Sequence, residues 1–157
     1  MINRNYMFLK GIRPHYYCLP VAKRESHRKD LLKVATSGNK KFFLGTDSAP
    51  HLSRDKESEC GCAGIFSAPY AINLLAGIFE KERQLDNLEK FVSINGATHY
   101  NLPINVGKIT LVKRSKPIKI QDHIKINDDK VIIFGNDFDI YWEVKLNENK
   151  RSKNEKD

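Results

Sequence analysis

Chemistry concentrates in one octet, Leu44-Gly45-Thr46-Asp47-Ser48-Ala49-Pro50-His51. A short apolar run ends at Asp47, and His51 follows four residues later. A carboxylate placed there can act as a hard oxygen ligand for a metal and as a proton carrier. A loop histidine beyond it can bind an anionic group or shuttle a proton. Spacing alone leaves a second reading open, in which Asp47 caps a helix or shapes a turn. Cys60-Gly61-Cys62 invites a zinc or redox reading. A structural zinc site wants four ligands, however, and the third cysteine, Cys18, is distant in sequence, so the pair reads as structural. His15, His27, His99 and His123 read as surface or packing residues; His27 lies in the charged run Ser26-His27-Arg28-Lys29-Asp30 and His123 in a polar stretch.

These residues need elements to position them. Gly11 to Pro20 is turn-rich and aromatic, and its two prolines make it a loop or a short extended piece. A helix follows, with Ser26 as its cap, Leu31, Leu32, Val34 and Ala35 as its apolar side, and Gly38 at its stop. Lys41 to Asp47 reads as a buried strand. A helix followed by a buried strand is the repeat unit of a parallel α/β sheet or barrel, and a strand-end Asp47 sits where such barrels keep their sites. The polar loop from Ser48 to Gly61 leads to helices over Ala68 to Arg83 and Leu85 to Ile94, and Gly96 breaks the pattern. From Lys108 the period shortens. Ile109, Leu111, Ile118, Ile120, Ile124, Ile126, Val131, Ile133 and Tyr141-Trp142-Glu143-Val144 predict short strands, with turns at Asn127-Asp128-Asp129 and Gly135-Asn136-Asp137.

Composition bounds the rest. The chain has 157 residues, 40% of them hydrophobic, enough for a domain with a real core. No apolar run approaches the about eighteen residues of a membrane span, and the start lacks a secretory pattern. Three cysteines give no disulfide framework, which fits a reducing cytoplasm. The net charge of +8 is spread along the chain and thickens toward the Lys, Asn and Glu tail. That distribution reads as a lysine-rich surface rather than a nucleic-acid site.

The octet, together with Arg54-Asp55-Lys56-Glu57-Ser58-Glu59-Cys60-Gly61-Cys62-Ala63-Gly64, resembles the last barrel strand and following loop of the bacterial-type dihydroorotases. Asn3-Arg4-Asn5 and Gly11 to Pro20 resemble the segment before that strand. Ser93-Ile94-Asn95-Gly96 and Tyr100-Asn101-Leu102-Pro103 resemble the family's carboxyl-terminal helical motif. The resemblance reaches about Val144. It implies an α/β fold: the carboxyl-terminal part of a (β/α)8 TIM-type barrel over residues 1–106, a β-rich extension over 107–146, and a disordered basic tail over 147–157. It implies a two-zinc enzyme that interconverts dihydroorotate and carbamoyl-aspartate. Asp47 matches the aspartate that touches the metal and carries the proton from the bridging hydroxide to the leaving nitrogen. His51 matches the histidine that helps hold the substrate carboxylate. Ala63 and Leu19 match contacts to the substrate.

The resemblance also shows what these residues lack. The paired His-x-His, the metal-bridging carbamylated lysine, the later metal histidines, and the arginine and asparagine of the carboxylate clamp do not occur here. A (β/α)8 barrel takes about 250 residues, so the barrel is expected to be incomplete and its strand edges and apolar faces open. Three functions follow as expectations. The chain is one piece of a split dihydroorotase that needs an amino-terminal piece; or it is a non-catalytic remnant; or, on charge alone, it is a small basic nucleic-acid binder. Homodimerisation is implied by relatives of this kind.

Overall fold

A computed structural model describes residues 2–146. The tail expected over 147–157 lies outside the described residues. Two 3-10 turns, Arg4–Phe8 and Pro14–Tyr16, precede helix α1, Glu25–Thr36. Helix α2, Ser53–Lys56, is a single turn inside the loop after the octet. A 3-10 turn, Ala68–Tyr70, leads into α3, Ala71–Lys81. A further helical stretch starts as a 3-10 turn at Leu85–Asn87, widens to a π-helix at Lys90–Ile94, and ends as α4, Asn95–His99. The chain closes with β1, Ile109–Lys113, β2, His123–Ile126, β3, Asp129–Ile132, and β4, Trp142–Leu146.

The strands form two separate antiparallel pairs. β1 pairs with β4, in register Leu111 to Val144, and β2 pairs with β3, in register Ile124 to Val131. Asn127, at a φ of 51°, turns the β2–β3 hairpin where the Asn-Asp signal placed it. The predicted strand at Ile118 and Ile120 does not form. That segment docks through the Ile118 N–H to the Ile140 carbonyl at 2.8 Å and the Gln121 N–H to the Tyr70 hydroxyl at 3.0 Å.

The expected buried strand at Lys41 to Asp47 differs more. Lys41 lies in a turn, residues 42–47 carry no regular structure, and among the described residues no strand pairs with them; Gly45, Thr46 and Asp47 are exposed. A strand is defined by its ladder, and an apolar run alone cannot supply one. What holds this segment is the helical stretch beside it. The Leu44 N–H donates to the Phe91 carbonyl at 2.9 Å, and Asn95 Nδ2 donates to the Phe42 carbonyl at 2.9 Å. A Cβ on Gly96 would stand 3.2 Å from the Phe43 ring. Gly96 therefore does not break its helix; it lets the helix approach Phe43 and continue to His99.

Helix α1 starts at Glu25, with Arg24 at the cap position, so Ser26 lies in the first turn and caps nothing. Glu25 takes over as anchor. Hydrogen bonds from Arg28 and from Asn3 hold its carboxyl down at about 2.

The core forms where α3 meets the extension. Ala76, Phe79 and Leu88 are buried, and Leu75, Ile78, Phe91, Leu111 and Trp142 pack around them. Full burial of a side chain such as Phe79 contributes about 1.5–3 kcal/mol. Asn73 donates to the Trp142 carbonyl at 2.8 Å, and Trp142 Nε1 donates to Glu80 at 3.1 Å. A second, aromatic cluster of Tyr6, Tyr16, Phe134 and Phe138 joins the first residues to the turn after β3. Residues on both sides of position 106 therefore share the same packed interior.

Candidate functional site

The loop from Ser48 to Ser67 is closed at its neck. Ser48 and Ile65 form a parallel bridge, and the Ala49 N–H donates to the Ile65 carbonyl at 3.0 Å. The Ser48 hydroxyl accepts from the Ser67 and Ala68 N–H groups at 3.2 and 3.1 Å, and Ser67 Oγ donates back to the Thr46 carbonyl. Asp47 stands at this neck with a φ of 43°. Aspartate tolerates that left-handed backbone better than most residues. Its side chain is exposed, and no hydrogen bond or ion pair engages it among the described residues. The capping atom at the neck is the Ser48 hydroxyl, not the Asp47 carboxylate, while the left-handed backbone of Asp47 fits the turn reading.

His51 is half-buried against the far side of the loop. A Cβ on Gly64 would lie 2.7 Å from its Cδ2, 2.8 Å from its Nε2 and 2.6 Å from the Ala49 carbonyl oxygen. Only glycine admits the ring there, so Gly64 sets the position of His51. Ala63 is the adjoining residue. Leu19 belongs to a different segment, is exposed, and precedes Pro20 through a cis bond.

Lys56 brings these two segments together, and sequence reasoning missed it. It sits in Arg54-Asp55-Lys56-Glu57, a run that reads as a solvated face, yet it is 3% exposed. Its Nζ donates to the carbonyls of Tyr17 at 2.9 Å, Cys62 at 2.5 Å and Gly64 at 2.7 Å. The Gly64 N–H donates to the Tyr17 carbonyl at 3.0 Å. One ammonium therefore gathers the backbone beside Leu19 and the backbone on both sides of Ala63. Its desolvation pulls the Lys56 pKa below the ordinary lysine value, against the opposing influence of Cys18 and Cys62. The three acceptors account for all its donors. The only sequence signal for this was the glycine density of Gly61-Cys62-Ala63-Gly64, which marks a backbone that something approaches closely.

Three of the remaining histidines have structural partners, and His27 is exposed. His15 pairs with Glu57 at 2.8 Å, His99 packs on Phe43 at 5.2 Å between ring centres, and His123 pairs with Asp122 at 3.0 Å. The three cysteines are free. Among the described residues no group of three or more His, Cys, Asp or Glu side chains could hold a metal ion. Asp47 offers one oxygen donor, whereas a catalytic zinc takes three protein ligands. These residues alone do not fit a zinc centre. No helix of the described residues is long and apolar enough to cross a membrane.

The pattern of the amidohydrolase family matches residues 4–114. Dihydroorotases of Chelativorans sp. (strain BNC1) and Ruegeria sp. (strain TM1040) are 51% and 52% identical over 144 residues, which is 92% of this chain and 42% of theirs. The crystal structure of the Saccharomyces cerevisiae dihydroorotase in complex with 5-fluoroorotic acid matches with a TM-score of 0.79 at 31% identity, over 92% of this chain and 42% of that one. The Campylobacter jejuni dihydroorotase matches with a TM-score of 0.77 at 29% identity, over 92% of this chain and 40% of that one. The chain thus spans about two fifths of the length of the relatives it matches, as a small α/β piece of their fold. It belongs to the amidohydrolase family, and within that family it corresponds to the carboxyl-terminal part of the dihydroorotases.

Proposed function

We propose that this chain supplies the proton-carrying and substrate-holding part of a dihydroorotase, the reversible hydrolysis of dihydroorotate to carbamoyl-aspartate in pyrimidine synthesis. The observation that carries the reading is the Asp47 carboxylate, exposed and unengaged at the neck of a loop whose other residues are firmly held. In the ring-opening direction, water adds to the amide carbonyl carbon. Asp47 takes the proton that water gives up and delivers it to the ring nitrogen as the carbon–nitrogen bond breaks. His51 holds the substrate carboxylate, and the backbone at Ala63 and Leu19 borders the ring. Zinc, when bound, would polarise the amide carbonyl; Asp47 would be one of its ligands, and the others would belong to an amino-terminal portion of the enzyme that pairs with this chain. Homodimerisation belongs to that assembled enzyme.

The test is reconstitution. The chain is co-expressed with the amino-terminal portion of the Ruegeria relative in zinc-containing medium, and cyclisation of carbamoyl-aspartate is assayed. Activity is expected, and Asp47→Asn should lower kcat about 10²–10⁴-fold, the span of a general acid–base contribution. A complex that forms with Asp47 intact and zinc bound yet turns over nothing would leave a non-catalytic remnant instead.

A further inference from the structure

Lys56, which gathers the backbone around Leu19 and Ala63, stands on the single turn of α2. One turn of helix does not hold itself, because nucleation fixes several dihedrals for one hydrogen bond. The residue at its cap position, Leu52, has no side-chain oxygen to offer. The acceptor comes instead from 75 positions away. Asp129 Oδ2, at the start of β3, accepts from the Arg54 N–H at 3.3 Å and lies 3.7 Å from Arg54 Nε. We propose that Asp129 is a positioning residue of the dihydroorotase reaction: it braces α2, and through Lys56 it sets the backbone that borders the substrate. The inference rests on the functional reading above and adds to it a residue that touches neither substrate nor metal.

Three observations carry it. The first is how the carboxylate is divided. Oδ1 accepts from the Lys130 N–H at 2.7 Å and so serves the hairpin, while Oδ2 serves α2. The Lys130 bond above all, helped by the Arg54 bond and opposed by desolvation, holds the carboxyl below its usual 3.8. Asp129 is therefore charged at neutral pH, and both bonds are charge-assisted.

The second is the relay. The Lys56 N–H donates to the Leu52 carbonyl at 3.0 Å, and the Cys62 N–H donates to the Asp55 carbonyl at 3.1 Å. The turn is thus tied to the residue before Ala63. A shift of α2 would carry Lys56 Nζ away from the carbonyls of Tyr17, Cys62 and Gly64, and Gly64 is the residue that admits the His51 ring. The third is the base of the brace. Just after β3, Ile133 forms a parallel bridge with Phe66, and the Phe134 N–H donates to the Phe66 carbonyl at 2.9 Å. Ile133 is buried. The hairpin therefore grips the far end of the same loop, which fixes the point from which Asp129 reaches α2.

Hydrogen exchange of the full chain, read by mass spectrometry, tests the brace. Asp129→Ala should speed exchange over residues 54–64 about fivefold, the size of one lost cap, while residues 71–81 exchange as in wild type. Asp129→Asn, which keeps one acceptor oxygen, should fall between the two. Lys125→Ala, exposed on β2 of the same hairpin, should change nothing. In the reconstituted enzyme Asp129→Ala should raise KM for dihydroorotate by a similar factor and leave kcat within about twofold, the signature of lost binding geometry rather than lost chemistry. Unchanged exchange over residues 54–64, a rise shared equally by residues 71–81, or a wild-type loop without protection overturns the proposal. So does a fall in kcat at unchanged KM. The functional reading fails separately: a zinc-loaded wild-type complex that turns over nothing removes the enzyme, and the exchange pattern still decides whether Asp129 braces the loop.

Discussion

At the scale of single residues, Lys56 decides how the loops are held. A hydrogen bond to a charged group contributes about 1.5–3 kcal/mol net of the water it replaces. Lys56 makes three, and they fix the segments around Leu19 and Ala63 at once. Lys56→Met keeps the stem and removes the three donors. We predict a stability loss of several kcal/mol, since the Cys62 and Gly64 carbonyls each lose a donor at about 1–3 kcal/mol, and faster proteolytic cleavage within residues 57–64, by about tenfold. In the reconstituted enzyme KM should rise more than kcat falls. A protease pattern unchanged from wild type would show that the loops hold themselves. Asp47 stands out as a candidate in the sequence because a carboxylate ending an apolar run, with a histidine four residues later, is a local pattern. Lys56 does not, because its burial depends on carbonyls brought from positions 17, 62 and 64, and its immediate neighbours are charged.

At the scale of elements, periodicity read α1, α3, β1 and the β2–β3 hairpin well, since each buries a face set by its own spacing. It failed where a partner outside the element decides. The apolar run at residues 41–47 predicts a buried strand, but the pairing of a strand is not encoded in such a run. Gly96 lets its helix approach Phe43, a contact across more than fifty positions that no local spacing encodes. The aromatic cluster is a similar case. It links Pro14–Tyr16 to the turn after β3 and carries a pH prediction. The Arg13 guanidinium lies over the Tyr16 ring at 4.1 Å and donates to Asp137 at 2.5 Å, while the Tyr16 hydroxyl donates to the other Asp137 oxygen. Burial pushes the Asp137 carboxyl up, but hydrogen bonds from Tyr16 and Arg13 outweigh it and hold it below the usual 3.8. Burial, joined by the bond to Asp137, raises the Tyr16 hydroxyl above the usual 10.0. The Asp137 contribution is therefore present above pH 3.8 and lost as pH falls through its lowered value. The Tyr16 contribution is present below pH 10.0 and lost as pH rises beyond it. Unfolding midpoints across pH should form a plateau between these limits. Tyr16→Phe should lower the plateau and flatten its alkaline limb; an alkaline limb as steep as wild type would refute the assignment.

At the scale of the whole molecule, the buried interior is thin for the surface it supports. The fully buried large side chains are Phe79 and Ile133, while Tyr100, Leu102, Ile104 and Val106 are each more than half exposed along one segment. Apolar burial is what offsets chain entropy, so a chain with this balance sits near the limit of independent stability. A partner that binds only the folded form changes that by mass action, adding about 2.7 kcal/mol when present at a hundred times its Kd. We therefore predict that the isolated chain melts broadly and self-associates as its concentration rises. With the amino-terminal portion of the Ruegeria enzyme added, the midpoint should climb with the partner's concentration and the transition should sharpen. Differential scanning calorimetry at several partner concentrations reads both effects. The two alternatives separate cleanly, because mass action makes the midpoint depend on concentration whereas intrinsic stability does not. A monomer that melts sharply, at a midpoint indifferent to the partner, would place the stability of this fold within the chain itself.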